Sequence, residues 1–308
     1  MLIAPVLFRR LALACAAILC LVAAPLRAQP VPLDSVRLDD PTLVYAVTLT
    51  NATTLIGRIT LVNADSVRVV SSAMTATVAR REVRSVRAYP ATALHDGVLW
   101  PENPHATRLL FAPTAIPLRR GEGYVADFWI FFASAAVGVT DRFTMGAGMS
   151  LLPLDNFADN IFYALPKYTM ISQPRLKVAL GALMASVPWS SNDEGNRRRQ
   201  SLGILYGVAT TGSPESNLTL GAGWGYVGGT LANKPVLTVG GQHRATKRIA
   251  LISENWFVPF DNDVGGFVSY GVRMLGEKIA VDLALGSPVG ADTFYFPGIP
   301  LLGFAFKF

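Results

Sequence analysis

The sequence predicts an all-β chain: an antiparallel transmembrane β-barrel of about 12 strands, preceded by a small β-domain. Three observations lead there. From Thr107 to the last residue, segments of period 2 recur, with no helix-period segment and no apolar run of membrane length. The connections between these segments alternate between tight turns and longer polar stretches. The last strand alternates cleanly and ends on an aromatic residue, Phe308. The composition agrees, because 51% hydrophobic and 16% charged residues leave too much apolar surface for a disordered chain.

In chain order, residues 1–28 read as a secretory signal. Arg9 and Arg10 precede the apolar run Leu11–Pro25, Arg27 follows it, and Ala28 is a small residue at a cleavable position. The run is shorter than the roughly 20 residues that span a bilayer as a helix. Both cysteines, Cys15 and Cys20, fall inside it, and neither Ala12-Leu13-Ala14 nor Leu19 makes a lipobox before them. The mature chain is therefore expected to hold no disulfide, no reactive thiol and no cysteine-ligated metal. Losing three arginines with the signal lowers the formal charge from +6 to +3. The basic balance thus points to no nucleic-acid partner.

Residues 29–42 are polar and rich in Pro and Asp, and are expected to be disordered. Residues 43–88 read as short strands at Val44–Leu49, Leu55–Val62, Ser66–Ser71, Thr75–Val78 and Val83–Arg87, with turn residues Asn51-Ala52 and Asn63-Ala64-Asp65 between them. The stretch Gly57-Arg58-Ile59 followed by Asp65-Ser66-Val67 resembles the small Sm-like or SH3-like barrels of the bacterial envelope. It departs from them at Asn51-Ala52, where such domains usually carry Asp-Gly. The resemblance implies a periplasmic domain that docks a protein partner. Arg80, Arg81, Arg84 and Arg87 close the domain as a basic run, read here as a solvated face. Residues 89–105, with Pro90, Pro101 and Pro104, read as a linker.

The barrel is expected over 106–308, with strand cores near 106–117, 123–139, 143–152, 161–171, 176–187, 200–210, 218–227, 236–244, 248–257, 266–274, 279–286 and 300–308. A strand in a barrel wall faces lipid on one side and the lumen on the other, so apolar residues must alternate with something else. In Phe143–Leu151, the outer set Phe143, Met145, Ala147, Met149 and Leu151 alternates with Thr144, Gly146, Gly148 and Ser150. Leu218, Leu220, Ala222, Trp224 and Tyr226 form a second outer face, and Ile279, Val281, Leu283 and Leu285 a third. Leu202, Ile204, Tyr206 and Val208 suggest a fourth, with Leu205 interrupting the inner side. Strand 123–139 keeps no single phase, and a bulge near Ile130 is expected. Phe304, Phe306 and Phe308 alternate with Ala305 and Lys307, and look like the terminal signal that outer-membrane barrels present to their assembly machinery.

The tight connections (140–142, 172–175, 211–217, 245–248 and 275–278) alternate with longer ones (153–160, 188–199, 228–235, 258–265 and 287–299). Barrels of this kind place short turns in the periplasm and long loops outside, which puts Phe308 and the N-terminal domain on the periplasmic side. The stretch Thr107-Arg108-Leu109-Leu110-Phe111-Ala112-Pro113-Thr114-Ala115, with Pro117-Leu118 and Gly121-Glu122-Gly123-Tyr124, is similar to one in a family of bacterial outer-membrane barrel proteins of uncharacterised function. That resemblance implies location rather than activity.

Chemistry is sparse. His95, His105 and His243 show no metal-ligand spacing, and no cofactor is expected. His243 is the one candidate for a barrel-rim hydrolase, and it lacks the neighbours such enzymes carry. Asp261-Asn262-Asp263 reads as a polar loop tip rather than a calcium loop. Alternation aims Lys167, Lys177, Gln242, Arg244, Glu254, Arg273 and Asp282 into the lumen, where they either cross-link into a plug or line a channel. Two functions follow: a narrow pore for small solutes, or a closed barrel that anchors the periplasmic domain. The expected partners are outer-membrane lipids, the assembly machinery and a periplasmic protein on residues 43–88.

Overall fold

The computed structural model describes residues 31–152, 154, 156–190, 197–259, 264–290 and 296–308. The expected signal, 1–28, and the loop tip Asp261-Asn262-Asp263 lie outside the described residues. The chain divides into two compact units, Met1–Pro101 and Glu102–Phe308.

In the first unit, β1 (Leu43–Leu49), β2 (Thr54–Val62), β3 (Ser66–Val70), β4 (Thr75–Ala79) and β5 (Val83–Pro90) form one antiparallel sheet. Its strand order is β4-β3-β2-β1-β5, so the last strand returns to pair with the first. The inward-facing set Tyr45, Val47, Ile59, Val67, Val69 and Val86 makes its core. Asn63 Oδ1 accepts from the N–H groups of Asp65 and Ser66, which closes the β2–β3 turn. Residues 31–42 do not run as disordered chain. Leu33 and Val36 pack on the core, Val31 N–H donates to Val86 O, and the Tyr45 hydroxyl ties down Arg37. Their few apolar residues find a face to bury, which the Pro/Asp-rich composition conceals. Arg80 is bound to Asp34 at 2.7 Å, whereas Arg81 and Arg84 are exposed. The expected linker holds a short turn at Ala91–Ala93 and a small hairpin pairing Leu94–His95 with Val98–Leu99.

The second unit is a closed antiparallel barrel of twelve strands. They are β6 (Gly123–Phe128), β7 (Phe132–Gly138), β8 (Phe143–Ser150), β9 (Phe162–Ser172), β10 (Leu176–Ser190) and β11 (Arg197–Gly212), then β12 (Ser216–Val227), β13 (Val236–Arg244), β14 (Ile249–Pro259), β15 (Val264–Leu275), β16 (Ile279–Val289) and β17 (Ile299–Lys307). Each pairs with its sequence neighbour, and β17 pairs with β6 to shut the wall. At that seam Phe308 N–H donates to Gly123 O and Gly123 N–H to Phe308 O. A Cβ on Gly123 would sit 2.6 Å from the Phe308 ring, so only glycine lets the terminal aromatic lie across the seam.

The outward faces are mostly apolar, with Ser253 and Asn255 on β14 as polar exceptions whose side chains bond to Ser269 O and Val239 O. Leu218, Leu220 and Trp224 on β12, and Leu302, Phe304 and Phe308 at the C-terminus, are all exposed, while Thr144, Thr219, Ser269 and Ala305 between outward neighbours are buried. Tight turns join β7–β8, β9–β10, β11–β12, β13–β14 and β15–β16 at one end, several closed by Thr or Ser hydroxyls such as Thr140, Ser213 and Thr246.

Three expectations are corrected. Residues 106–117 are not a wall strand; they carry only an isolated bridge between Arg108 and Pro113 and lie inside the barrel. Residues 123–139 are not one bulged strand but two, reversed at Trp129–Phe131, which restores the count of twelve. The reversal is also why no single phase suited both Asp127 and the aromatic run. Finally, Ile204, Tyr206 and Val208 face inward, and Leu205 faces out at 45% exposure. The lumen on that side meets packed protein rather than water: Val208 packs with Ala179 of the wall and Ala115 of the interior segment.

Candidate functional site

The interior segment, residues 103–118, enters at the tight-turn end, reverses at Leu109–Ala112 and returns to the same end before β6. Leu109 N–H donates to Ala112 O, and Thr114 N–H to Thr107 O, so the segment is a narrow hairpin. Asn103, His105, Leu109, Leu110, Ala112, Thr114, Ala115 and Leu118 are buried. A chain in this position cannot use sheet partners for its backbone groups, and buried peptide groups left unpaired are costly. The wall supplies the partners from side chains.

Arg273 on β15 supplies most. It is fully buried, and its Nε and Nη2 hold the Asp282 carboxylate of β16 at 2.6 and 2.8 Å. Its Nη1 donates to His105 O at 2.8 Å and Arg108 O at 3.2 Å, and its Nη2 to Leu109 O at 2.8 Å. Gln242 on β13 accepts from the same guanidinium at 3.0 Å and donates to Pro214 O. Lys167 on β9 points its ammonium at three carbonyls, Thr107 O, Thr114 O and Ile116 O, at 3.2, 2.8 and 2.8 Å. Glu254 on β14 does the converse. Its Oε2 accepts from Phe111 N–H and Ala112 N–H, both at 2.8 Å, and its Oε1 from the Trp256 indole at 2.7 Å.

Hydroxyls fill in between. Thr210 Oγ1 accepts from Ala115 N–H, and Thr169 Oγ1 donates to Ala115 O. At the tight-turn end, Arg244 pairs with Glu215 at 2.6 Å, and the other Glu215 oxygen accepts from Asn103 N–H. Each cation meets carbonyls, a carboxylate or both, and Glu254 and Glu215 meet N–H groups, the kind of partnering that offsets burial of a charge.

Of the residues that alternation aims inward, the structure gathers Lys167, Gln242, Arg244, Glu254, Arg273 and Asp282 around this one hairpin or its entry. Lys177 stands apart, half-buried at the tight-turn end, where its Nζ donates to Gln173 O. His243 faces away from the lumen on the exposed side of β13, with Nδ1 2.9 Å from Ser216 Oγ. His105, read as part of a linker, is instead buried in the hairpin; its Nε2 accepts from Arg108 Nε, and its ring stands edge-on to Tyr124. Its place beside Pro104, in a stretch with no periodicity, gives no sign of this. No group of three or more His, Cys, Asp or Glu suited to a metal occurs among the described residues.

Above the hairpin tip the lumen widens into an apolar chamber of about 500 Å³. Phe111, at the tip, forms its floor and touches Phe128 and Trp256. A second cavity of about 90 Å³ lies beside the hairpin, between Arg108, Tyr206 and Thr238.

No family model and no curated protein sequence matches this chain. Among solved structures, the chain is similar to the NanC porin, with a TM-score of 0.37 and 8% identity, over 60% of this chain and 97% of that one. It is also similar to OmpT, an outer membrane protein of Vibrio cholerae. The outer-membrane-expressed form gives a TM-score of 0.35 and 11% identity over 87% and 95% of the two chains. The form lacking loop L8 gives 0.34 and 10% over 87% and 97%.

Proposed function

We propose that this protein is a non-enzymatic outer-membrane β-barrel, closed by its own residues 103–118, that holds residues 43–88 in the periplasm as an interaction domain. The observation that carries the reading is the hairpin in the lumen, bound through Arg273, Lys167 and Glu254 to its backbone. A water-filled pore has no use for buried side chains spent on a plug, whereas an anchor gains a rigid interior. The predominantly apolar outer face supports residence in a membrane, with lipids as the immediate partners. The return of β5 onto β1 supports the small-barrel reading of the first unit, and the exposed Arg81 and Arg84 give it a basic face for a protein partner. The outward aim of His243 argues against a hydrolase at the lumen rim.

Purified full-length protein in a planar bilayer tests the reading. The wild type is expected to be silent, and a Lys167→Met, Glu254→Ala double variant to give brief openings as the hairpin loosens. Steady single-channel steps from the wild type would replace the anchor with the narrow pore. Fractionation tests location: the protein is expected in the outer membrane, with gel migration that changes on boiling.

A further inference from the structure

We propose that the chamber above the plug binds a hydrocarbon chain, which reaches it from the membrane interior across a low wall at β6 and β7. The proposal rests on the membrane-barrel reading above.

The chamber has the size of a ligand site, about 500 Å³, within the roughly 300–1,000 Å³ that small-molecule pockets occupy. Its walls are Phe111, Phe128, Phe132, Leu183, Trp256 and Leu301, with further aliphatic residues between them. Three polar side chains reach it, and each is already engaged. Both Glu254 oxygens are taken by Phe111, Ala112 and Trp256; Ser269 Oγ donates to Glu254 O; and the Tyr163 hydroxyl donates to Ala133 O. Among the described residues, every one of these polar groups already has a partner, so the chamber offers a polar ligand little in exchange for its hydration. A sugar or an ion would bear that loss, whereas a hydrocarbon chain loses only its contact with water.

The route follows from wall height. Strands β10 and β11 are 15 and 16 residues long, but β6 and β7 have only 6 and 7. A tilted strand needs about 9–11 residues to cross the hydrocarbon layer. The β6–β7 turn therefore lies within that layer, and its composition fits: Trp129, Ile130 and Phe131 are 40%, 47% and 39% exposed. The turns at the other end carry charges instead, among them Asp141, Arg142, Arg175, Lys247 and Glu277.

The backbone makes the same point. Trp129 and Ile130 have φ of 56° and 66°, a conformation in which a β-branched residue is an outlier and Gly or Asn is usual. The turn keeps apolar side chains against that preference. It is held by Trp129 N–H to Leu302 O at 2.6 Å and by the Trp129 indole to Pro300 O at 3.1 Å. Trp129 also lines the chamber, so one side chain borders both the membrane and the cavity.

Two single-tryptophan forms of the full chain provide the test. One keeps Trp256, inside the chamber, and the other keeps Trp224, on the outer wall, with the remaining tryptophans changed to Phe. Each is reconstituted in phosphatidylcholine vesicles whose acyl chains carry bromine, which quenches indole fluorescence on contact. Both are expected to be quenched. Ala185→Phe, which fills the chamber, should lower the quenching of Trp256 by about twofold or more; should it fail to fold, Val187→Phe serves the same end. Quenching of Trp224 without Trp256, or quenching of Trp256 by aqueous iodide instead, would overturn the proposal and leave the plugged barrel standing. An unquenched Trp224 would overturn the membrane reading and this one together.

Discussion

Arg273 and Asp282 face each other across β15 and β16 and share two hydrogen bonds, of 2.6 and 2.8 Å, in a place where the guanidinium has no contact with solvent. The pair is what allows Arg273 to spend its remaining donors on the hairpin. Asp282→Ala would strand a buried cation, and is expected to cost about 3–5 kcal/mol of barrel stability. Replacing both partners, Arg273→Met with Asp282→Leu, should cost clearly less in the wall while still loosening residues 105–109. Denaturant unfolding in vesicles, followed by gel migration, measures both. A single variant no worse than the double would show that the pair is not coupled.

Lys167 makes no ion pair among the described residues, and all three of its hydrogen bonds go to the hairpin. Lys167→Met keeps the length of the side chain and removes the donors, leaving Thr114 O and Ile116 O without the ammonium and Thr107 O with the Thr114 N–H alone, at about 1–3 kcal/mol. The wall should survive. Amide exchange in 107–118 is expected to speed up by about tenfold, the factor that 1.4 kcal/mol carries, while β10–β12 exchange as before. Equal acceleration everywhere would mean that Lys167 holds the whole barrel rather than the plug.

Gly181 and Tyr206 are paired across β10 and β11, and the Tyr206 ring lies over the glycine on the lumen side. A Cβ at 181 would approach the Tyr206 ring at 2.5 Å and Pro166 O at 2.8 Å. Gly181→Val is expected to push the ring into the hairpin and cost about 1–3 kcal/mol by overpacking. The folded yield in a refolding assay reads this, and Tyr206→Ala in the same chain should recover part of it.

The wall was legible in the sequence because burial there follows the two-residue period of a strand. Thr144, Gly146 and Gly148 against Met145 and Ala147, or Leu218 and Leu220 against Thr219, need no knowledge of the rest of the chain. The hairpin was not legible, since Leu109-Leu110-Phe111-Ala112 has the composition of a wall strand. What sets it apart is where its backbone finds partners: Glu254, some 140 positions away, for Phe111 and Ala112, and Arg273, some 165 positions away, for His105 and Leu109. A sequence shows no sign of pairing at that distance. The inward face of β11 was misread for a related reason. Ile204, Tyr206 and Val208 look like lipid-facing residues because a lumen filled with protein is as apolar as a membrane.

An orientation is expected from the asymmetry of the two ends and can be checked by cysteine labelling, because residues 29–308 carry no cysteine. The tight end carries Glu277, exposed in the β15–β16 turn, together with the seam of Phe308 and Gly123. The opposite end carries Asn233, exposed between β12 and β13 in one of the longer connections. Short turns belong on the periplasmic side of such barrels and longer loops outside. A membrane-impermeant thiol reagent added to intact cells is therefore expected to label Asn233→Cys and spare Glu277→Cys, and to reach both once the outer membrane is permeabilised. Folding is not at stake at either site, because both side chains are exposed and lie in connections rather than strands. Labelling of Glu277→Cys alone in intact cells would invert the barrel, put residues 43–88 outside the cell, and remove the case for a periplasmic partner.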